Sequence, residues 1–228
     1  MTVWPHLRRR GGRVTYLAMS HPHADHIGGV RTLLERAGVD TLWDSGFVGT
    51  SAMYHAALRR AREQGVSWKR AQAGDTLLFD GVHVRVLAPA ATWLEQQENP
   101  NEASLVLLVT YGDVRMLLTG DAETGEETWL VEHYGNGLAA DVLKVGHHGS
   151  STSTSPAFLA AVAPRLALIS VGAANDYGHP SPEVLEALEA SGAQVLRTDH
   201  EGTIMLSTDG RSIDVTTADS RWRLSRTR

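Results

Sequence analysis

Short apolar runs alternate with helix-periodic stretches along the chain. Residues 14–19 form a strand-length apolar run, and 28–37 follow with Val30, Leu33, Leu34 and Ala37 on one helical face. A short strand at 41–43 and a helix over 51–63 repeat the alternation. The pattern then changes: 76–79, 82–87, 104–111 and 114–119 read as strands, joined by the turn pairs Asp80-Gly81 and Gly112-Asp113. Beyond 121, helices over 122–134, 155–162 and 182–190 alternate with strands at 141–145, 166–171 and 194–198. Strands at 203–207 and 213–217 follow. Hairpins and strand–helix units with no repeat or linker predict one layered α/β domain over 1–228, with 218–228 as a flexible basic tail.

Composition narrows the chemistry. The chain has 228 residues, 42% apolar and 21% charged, as in an ordinary globular protein. With Cys 0, it holds no disulfide, thiolate nucleophile, zinc finger or thiolate-bound cluster. His 11 is the surplus, and imidazole is the commonest metal ligand. No apolar run approaches the roughly 20 residues of a membrane span, and the first residues lack the apolar stretch of an export signal. The chain therefore reads as soluble, with the cytoplasm as the default compartment.

The net charge of −5 argues against a wholly basic nucleic-acid binder. Any track for phosphates has to be local. Lys144, Arg165, Arg197 and the arginine runs at the two ends (Arg8, Arg9, Arg10, Arg13; Arg221, Arg223, Arg226, Arg228) are its candidates.

The strongest chemical signal follows the first strand: His21-Pro22-His23-Ala24-Asp25-His26, then Gly28-Gly29. In an extended segment His21 and His23 point to one side and can reach one metal ion. Asp25 and His26, where the chain turns into a helix, can face a second. Three later segments extend the pattern, each after a strand. Leu118-Thr119-Gly120-Asp121 ends in a carboxylate able to bridge two ions. Lys144-Val145-Gly146-His147-His148-Gly149-Ser150 carries adjacent histidines whose side chains diverge. Tyr177-Gly178-His179-Pro180-Ser181 precedes a helix that Ser181 would cap. His6, His55, His83, His133 and His200 have no such context.

These residues resemble the metallo-β-lactamase fold of metal-dependent hydrolases. SHPHADHIGG, NEASLVLLVTYGDVRMLLTGDAE, ADVLKVGHHGSSTS and ISVGAANDYGHPSPEVLEAL are more specifically similar to the metallo-β-lactamase domain of ComEC-type competence proteins. The resemblance implies a four-layer αββα sandwich with a dinuclear site at one edge. His21 and His23 would bind one ion, and Asp25, His26 and His148 the other. Asp121 would bridge them, with His147 facing substrate. Two departures stand out. The family's usual histidine between the first motif and the bridging carboxylate has no match, and the N-x-x-S element Asn101/Ser104 stands in that interval. The strands that usually open the fold have no match before Met1, so the domain reads as lacking its first strands.

The expected function is hydrolysis of a phosphodiester, DNA taken up in competence, by attack of a metal-bound hydroxide. Two divalent ions, zinc first with manganese or iron as alternatives, would supply it. Asp25, Asp121, His147 and His179 would carry the chemistry, with Asn101, Ser104, His147, Ser150 and His179 at the substrate. The competing readings are a small-molecule hydrolase for a phosphoester, lactam or thioester, and a degenerate DNA-binding or scaffold module. A membrane channel protein, or a separate chain supplying the missing strands, is the expected partner and would hold the domain at a membrane.

Overall fold

The computed structural model describes residues 3–225, which fold around three sheets. The first is parallel and holds β1 (Arg13–Met19), β2 (Gly38–Asp44) and β3 (Ser67–Arg70). The second runs over β4 (Thr76–Phe79), β5 (Val82–Ala88), β6 (Val106–Tyr111), β7 (Val114–Leu118), β8 (Val142–Lys144), β9 (Leu166–Ile169) and β10 (Gln194–Arg197), in sequential order across the sheet. Pairing is antiparallel from β4 to β7 and parallel from β7 to β10. The third is an antiparallel meander of β11 (Met205–Thr208), β12 (Ser212–Thr216) and β13 (Arg221–Ser225).

Side-chain alternation assigns the faces of the seven-stranded sheet. Leu108, Leu117, Leu143, Ala167 and Ile169 face the helices Thr124–Tyr134, Pro156–Val162 and Pro182–Ala190. The opposite face meets both small sheets. Trp43 of β2 packs with Val86 and Leu107, while Ile213 and Val215 of β12 pack with Val142, Leu166, Met116 and Leu168. The helices Val30–Arg36 and Ala52–Glu63 close the outer side of β1 and β2 through Leu34, Ala57 and Ala61 against Leu42. The result is a helix–sheet–sheet–helix sandwich, as expected.

Helix starts follow their sequence signals. Ser51, Ser155 and Ser181 each accept a hydrogen bond from the backbone N–H three residues on, and proline follows directly at 156 and 182. The helix expected over 28–37 runs over Val30–Arg36, and a separate short helix, Ala24–Ile27, precedes it across Gly28 and Gly29. The expected flexible tail is corrected over 221–225. Trp222 and Leu224 alternate inward between arginines, and β13 pairs along β12 with Arg223 bonded to Asp214. Arg226 and Arg228 lie outside the described residues. Among those residues, no helix is long and apolar enough to cross a membrane.

The site is set by where parallel strands end. The chain leaves β1 into His21–His26, β7 into Asp121, β8 into His147 and His148, and β9 into 170–180. Carboxyl ends of parallel strands form the ligand-binding edge of open α/β sheets.

Candidate metal centre

Asp121 is the hub. Its Oδ2 lies 3.1 Å from His26 Nε2, 3.6 Å from His148 Nε2 and 3.7 Å from His21 Nε2. Its other oxygen, Oδ1, is buried with no hydrogen-bond partner among the described residues. The backbone N–H of Asp121 donates to Ser104 Oγ at 3.0 Å. Gly120 permits this placement: its φ is +57°, and a β-carbon there would sit 2.9 Å from both Ser104 Oγ and Ser20 Cβ.

The histidines converge on this hub, and His148 presents a lone pair to it. His148 Nδ1 is 2.6 Å from the Ser170 carbonyl, which can only accept, so the ring proton is on Nδ1 and Nε2 is bare. That bare nitrogen faces His26 Nε2 at 3.2 Å and Asp25 Oδ2 at 3.3 Å. Ligand atoms of Asp25, His26, Asp121 and His148 all lie within 4.8 Å of one another. His21 and His23 adjoin, with Nε2 and Nδ1 at 3.0 Å, and Ser20 Oγ bonds the outer nitrogens of His21 and His26 at 3.2 and 2.9 Å.

The bare His148 nitrogen and the carboxylate oxygens of Asp25 and Asp121, pointed at one spot, repel each other unless a proton or a cation sits among them. An outer imidazole N–H fixed on a carbonyl is the usual support of a metal-binding histidine. The donor set therefore fits a divalent cation. Burial, then the neighbouring His26, pushes the pKa of His21 down to about 3, so its ring stays neutral and free to coordinate. For Asp121 burial works upward, but the His26 hydrogen bond and nearby Lys144 and His148 outweigh it and hold the group well below the usual carboxylate range.

The centre floors a cleft of about 760 Å³ whose rim carries His147, His179, Asn175 and Tyr177. His147 Nδ1 lies 3.0 Å from Glu123 Oε1, and its ring is 5.7 Å from that of His179. Burial, then His147 and His148, lowers the pKa of His179.

With this geometry in place, comparison with known proteins is decisive. The profile of the Metallo-beta-lactamase superfamily matches residues 5–173. The chain belongs to that superfamily. It is 39% identical to ComE operon protein 3 of Bacillus subtilis (strain 168) over 82% of its own length and 24% of that protein's. It is 35% identical to competence protein ComA of Neisseria gonorrhoeae over 84% of its length and 25% of that protein's. The chain thus spans about a quarter of the length of these relatives. Among solved structures, CmlA, a diiron β-hydroxylase from Streptomyces venezuelae, shares the fold. Its TM-score is 0.55 at 15% identity, over 82% of this chain and 44% of its own.

Within this metallo-β-lactamase domain the expected site residues divide. His21, His23, Asp25, His26, Asp121 and His148 come together, and His147 and His179 stand at the rim. Three residues expected at the substrate, Asn101, Ser104 and Ser150, stand apart from the cleft lining. They are buried at 6%, 0% and 5% exposure. Asn101 Nδ2 donates to Glu123 Oε1 at 3.0 Å, Ser104 holds Asp121 as described, and Ser150 Oγ bonds Thr152. They shape loops. Of the candidates for a basic track, Lys144 Nζ donates to the Gly120 carbonyl, Arg197 is paired with Asp199, and Arg165 donates to the Ser225 carbonyl. Ser20, Glu123, Asn175 and Tyr177 escape the sequence reading. Ser20 directly precedes the histidine motif and Tyr177 stands two residues before His179, so position hinted at both, but no role followed from it.

Proposed function

We propose that this domain is a two-metal phosphodiesterase that cleaves DNA in competence-related uptake. One observation carries the reading: four ligating side chains converge at strand ends on the floor of an open cleft, with a buried Asp121 oxygen left without a partner. His21 and His23 would hold one ion, Asp25, His26 and His148 the other, and Asp121 would be shared. Imidazole and carboxylate donors suit zinc, with manganese and iron the next candidates. Bound ions of this kind activate water and clamp phosphoryl oxygens. The chain's own residues do the rest. His179, held neutral by its lowered pKa, offers an N–H to a phosphate oxygen, and His147 is oriented by Glu123 beside it. The names of the competence relatives support DNA as the substrate.

β1 is an edge strand of its sheet. We assign its free edge as the place where a strand from another segment or chain adds.

The test uses the purified chain loaded with zinc or manganese, against single-stranded and duplex DNA. Cleavage is expected with at least one metal, and loss of it on chelation and in Asp121→Asn. A metal-loaded protein that cuts neither DNA, or an Asp121→Asn variant as active as wild type, overturns the reading.

A further inference from the structure

The rim of the cleft carries an aromatic ring that the metal chemistry leaves unused. Tyr177 is 83% exposed, yet its ring is not loose: it lies against His179 at 5.8 Å between centroids with planes 15° apart. His179 in turn meets His147 edge-on at 5.7 Å, so three rings form a row along the rim of the cleft. The loop that presents them is fixed at three points. Thr198 Oγ1 is hydrogen-bonded to both the N–H and carbonyl of Val171, each at 2.8 Å. Asn175 brackets His179, accepting from its N–H and donating to its carbonyl, both at 2.9 Å. Ser181 N–H donates to the Gly149 carbonyl at 2.8 Å.

A lone exposed aromatic residue means little. One held parallel to a second ring, on a pinned loop, at the mouth of a metal cleft, offers a flat face to a flat ligand. The cleft lining contains no lysine or arginine among the described residues, and the nearby cations expected to form a phosphate track are bonded internally. Within the cleft itself, affinity for a nucleic acid therefore does not come from lysine or arginine side chains.

We propose that the open face of Tyr177, backed by His179, is a stacking platform for an unpaired nucleobase next to the phosphate at the metal centre. The inference rests on the DNA reading above and narrows it to single strands, since a base within a duplex has no free face. Base–aromatic stacking is tolerant of sequence and lost on alanine substitution.

The experiment is fluorescence anisotropy in calcium buffer with two labelled 12-mers of equal charge, oligothymidylate and an abasic strand of the same backbone. Wild type is expected to bind oligothymidylate about tenfold tighter than the abasic strand, the size of one stacked base. Tyr177→Ala should erase that preference and Tyr177→Phe keep it. The side chain is exposed, so both variants should fold as wild type does, and circular dichroism checks it. If wild type binds both strands equally, or Tyr177→Ala keeps the preference, the platform is overturned while DNA binding stands. If wild type neither binds nor cuts either strand, the DNA reading itself falls and the platform with it.

Discussion

Two sets of acids meet at Ser104, and they behave in opposite ways. On the cleft side, Asp25 and Asp121 face imidazole nitrogens, His26 and His148 above all. On the far side, Glu102, Glu126 and Glu127 face backbone N–H groups. Glu102 accepts from Gly125 and Glu126, Glu127 accepts from Thr154 and Ser155, and Glu126 accepts from Ser104 itself. Burial raises the pKa of each of these glutamates. The contrast teaches what decides an acid's role: the same carboxyl group is scaffold where backbone N–H groups surround it, and a candidate metal ligand where imidazoles do.

The largest break in that contrast should come from Asp121→Asn. The amide keeps the shape and still meets the His26 ring, but removes the charge shared between the two proposed ions. Loss of an outer-shell partner alone costs about 10–100-fold in metal affinity or activity, so removing a shared ligand should cost on the order of a thousandfold or more. Metal content by atomic emission and cleavage rate both report it, and unchanged circular dichroism separates the loss from misfolding. Full retention of two ions would remove Asp121 from the centre.

Acid should then distinguish the sets in metal-free protein. The folded pKa of His21, about 3, is below its ordinary value of 6.5. The unfolded chain therefore binds the extra proton between those values. The stabilising contribution is complete above pH 6.5 and is lost as pH falls toward 3, by roughly 4 kcal/mol. Urea denaturation of chelated protein across that range measures it. A stability flat between pH 6.5 and 4 in wild type would contradict the buried neutral ring, and His21→Ala should reduce the slope.

How much of this was legible beforehand follows from how local each signal is. His21, His23, Asp25 and His26 sit in one loop, so spacing alone exposes them. Strands such as β5 and β7 show in their apolar runs, and helix Pro182–Ala190 in its Ser-Pro start. β3 does not show, because Ser67–Arg70 is exposed throughout and is held by pairing to β2. Asn101 and Ser104 are visible as a motif, but nothing local reveals that their partners, Glu123 and Asp121, wait 22 and 17 residues on. The scaffold glutamates are illegible for the same reason.

Glu102 gives the next effect. The helix Thr124–Tyr134 has no side-chain cap of its own at Glu123, and Glu102 serves instead from 22 or more residues away. Glu102→Ala should therefore cost about 2 kcal/mol of stability, the upper range for a lost cap. Thermal or urea unfolding reads it, and Glu102→Gln should recover part because an oxygen acceptor remains. A change below about 0.5 kcal/mol in the alanine variant would show that water replaces the cap at no cost.

The smallest effect tests the far side most directly. Glu126 is fully buried, its Oε2 takes the Ser104 N–H at 3.2 Å and its Oε1 has no partner among the described residues. Burial, then the nearby Glu102, raises its pKa well above the ordinary value, so the group is a neutral acid where free glutamate is ionised. An amide has nearly the same shape and also leaves an oxygen for Ser104. Glu126→Gln should thus shift stability by less than about 1 kcal/mol at pH 4.5. The difference should then move with pH in a fixed direction. A folded pKa above the unfolded one gives stability that is complete below pH 4.5 and lost as pH rises, and the amide has no such loss. Glu126→Gln should therefore gain on wild type between pH 5 and 8, the reverse of the trend from His21. A difference that stays constant over that range would mean that Glu126 is ionised in the fold, and would remove the distinction between the two sets of acids.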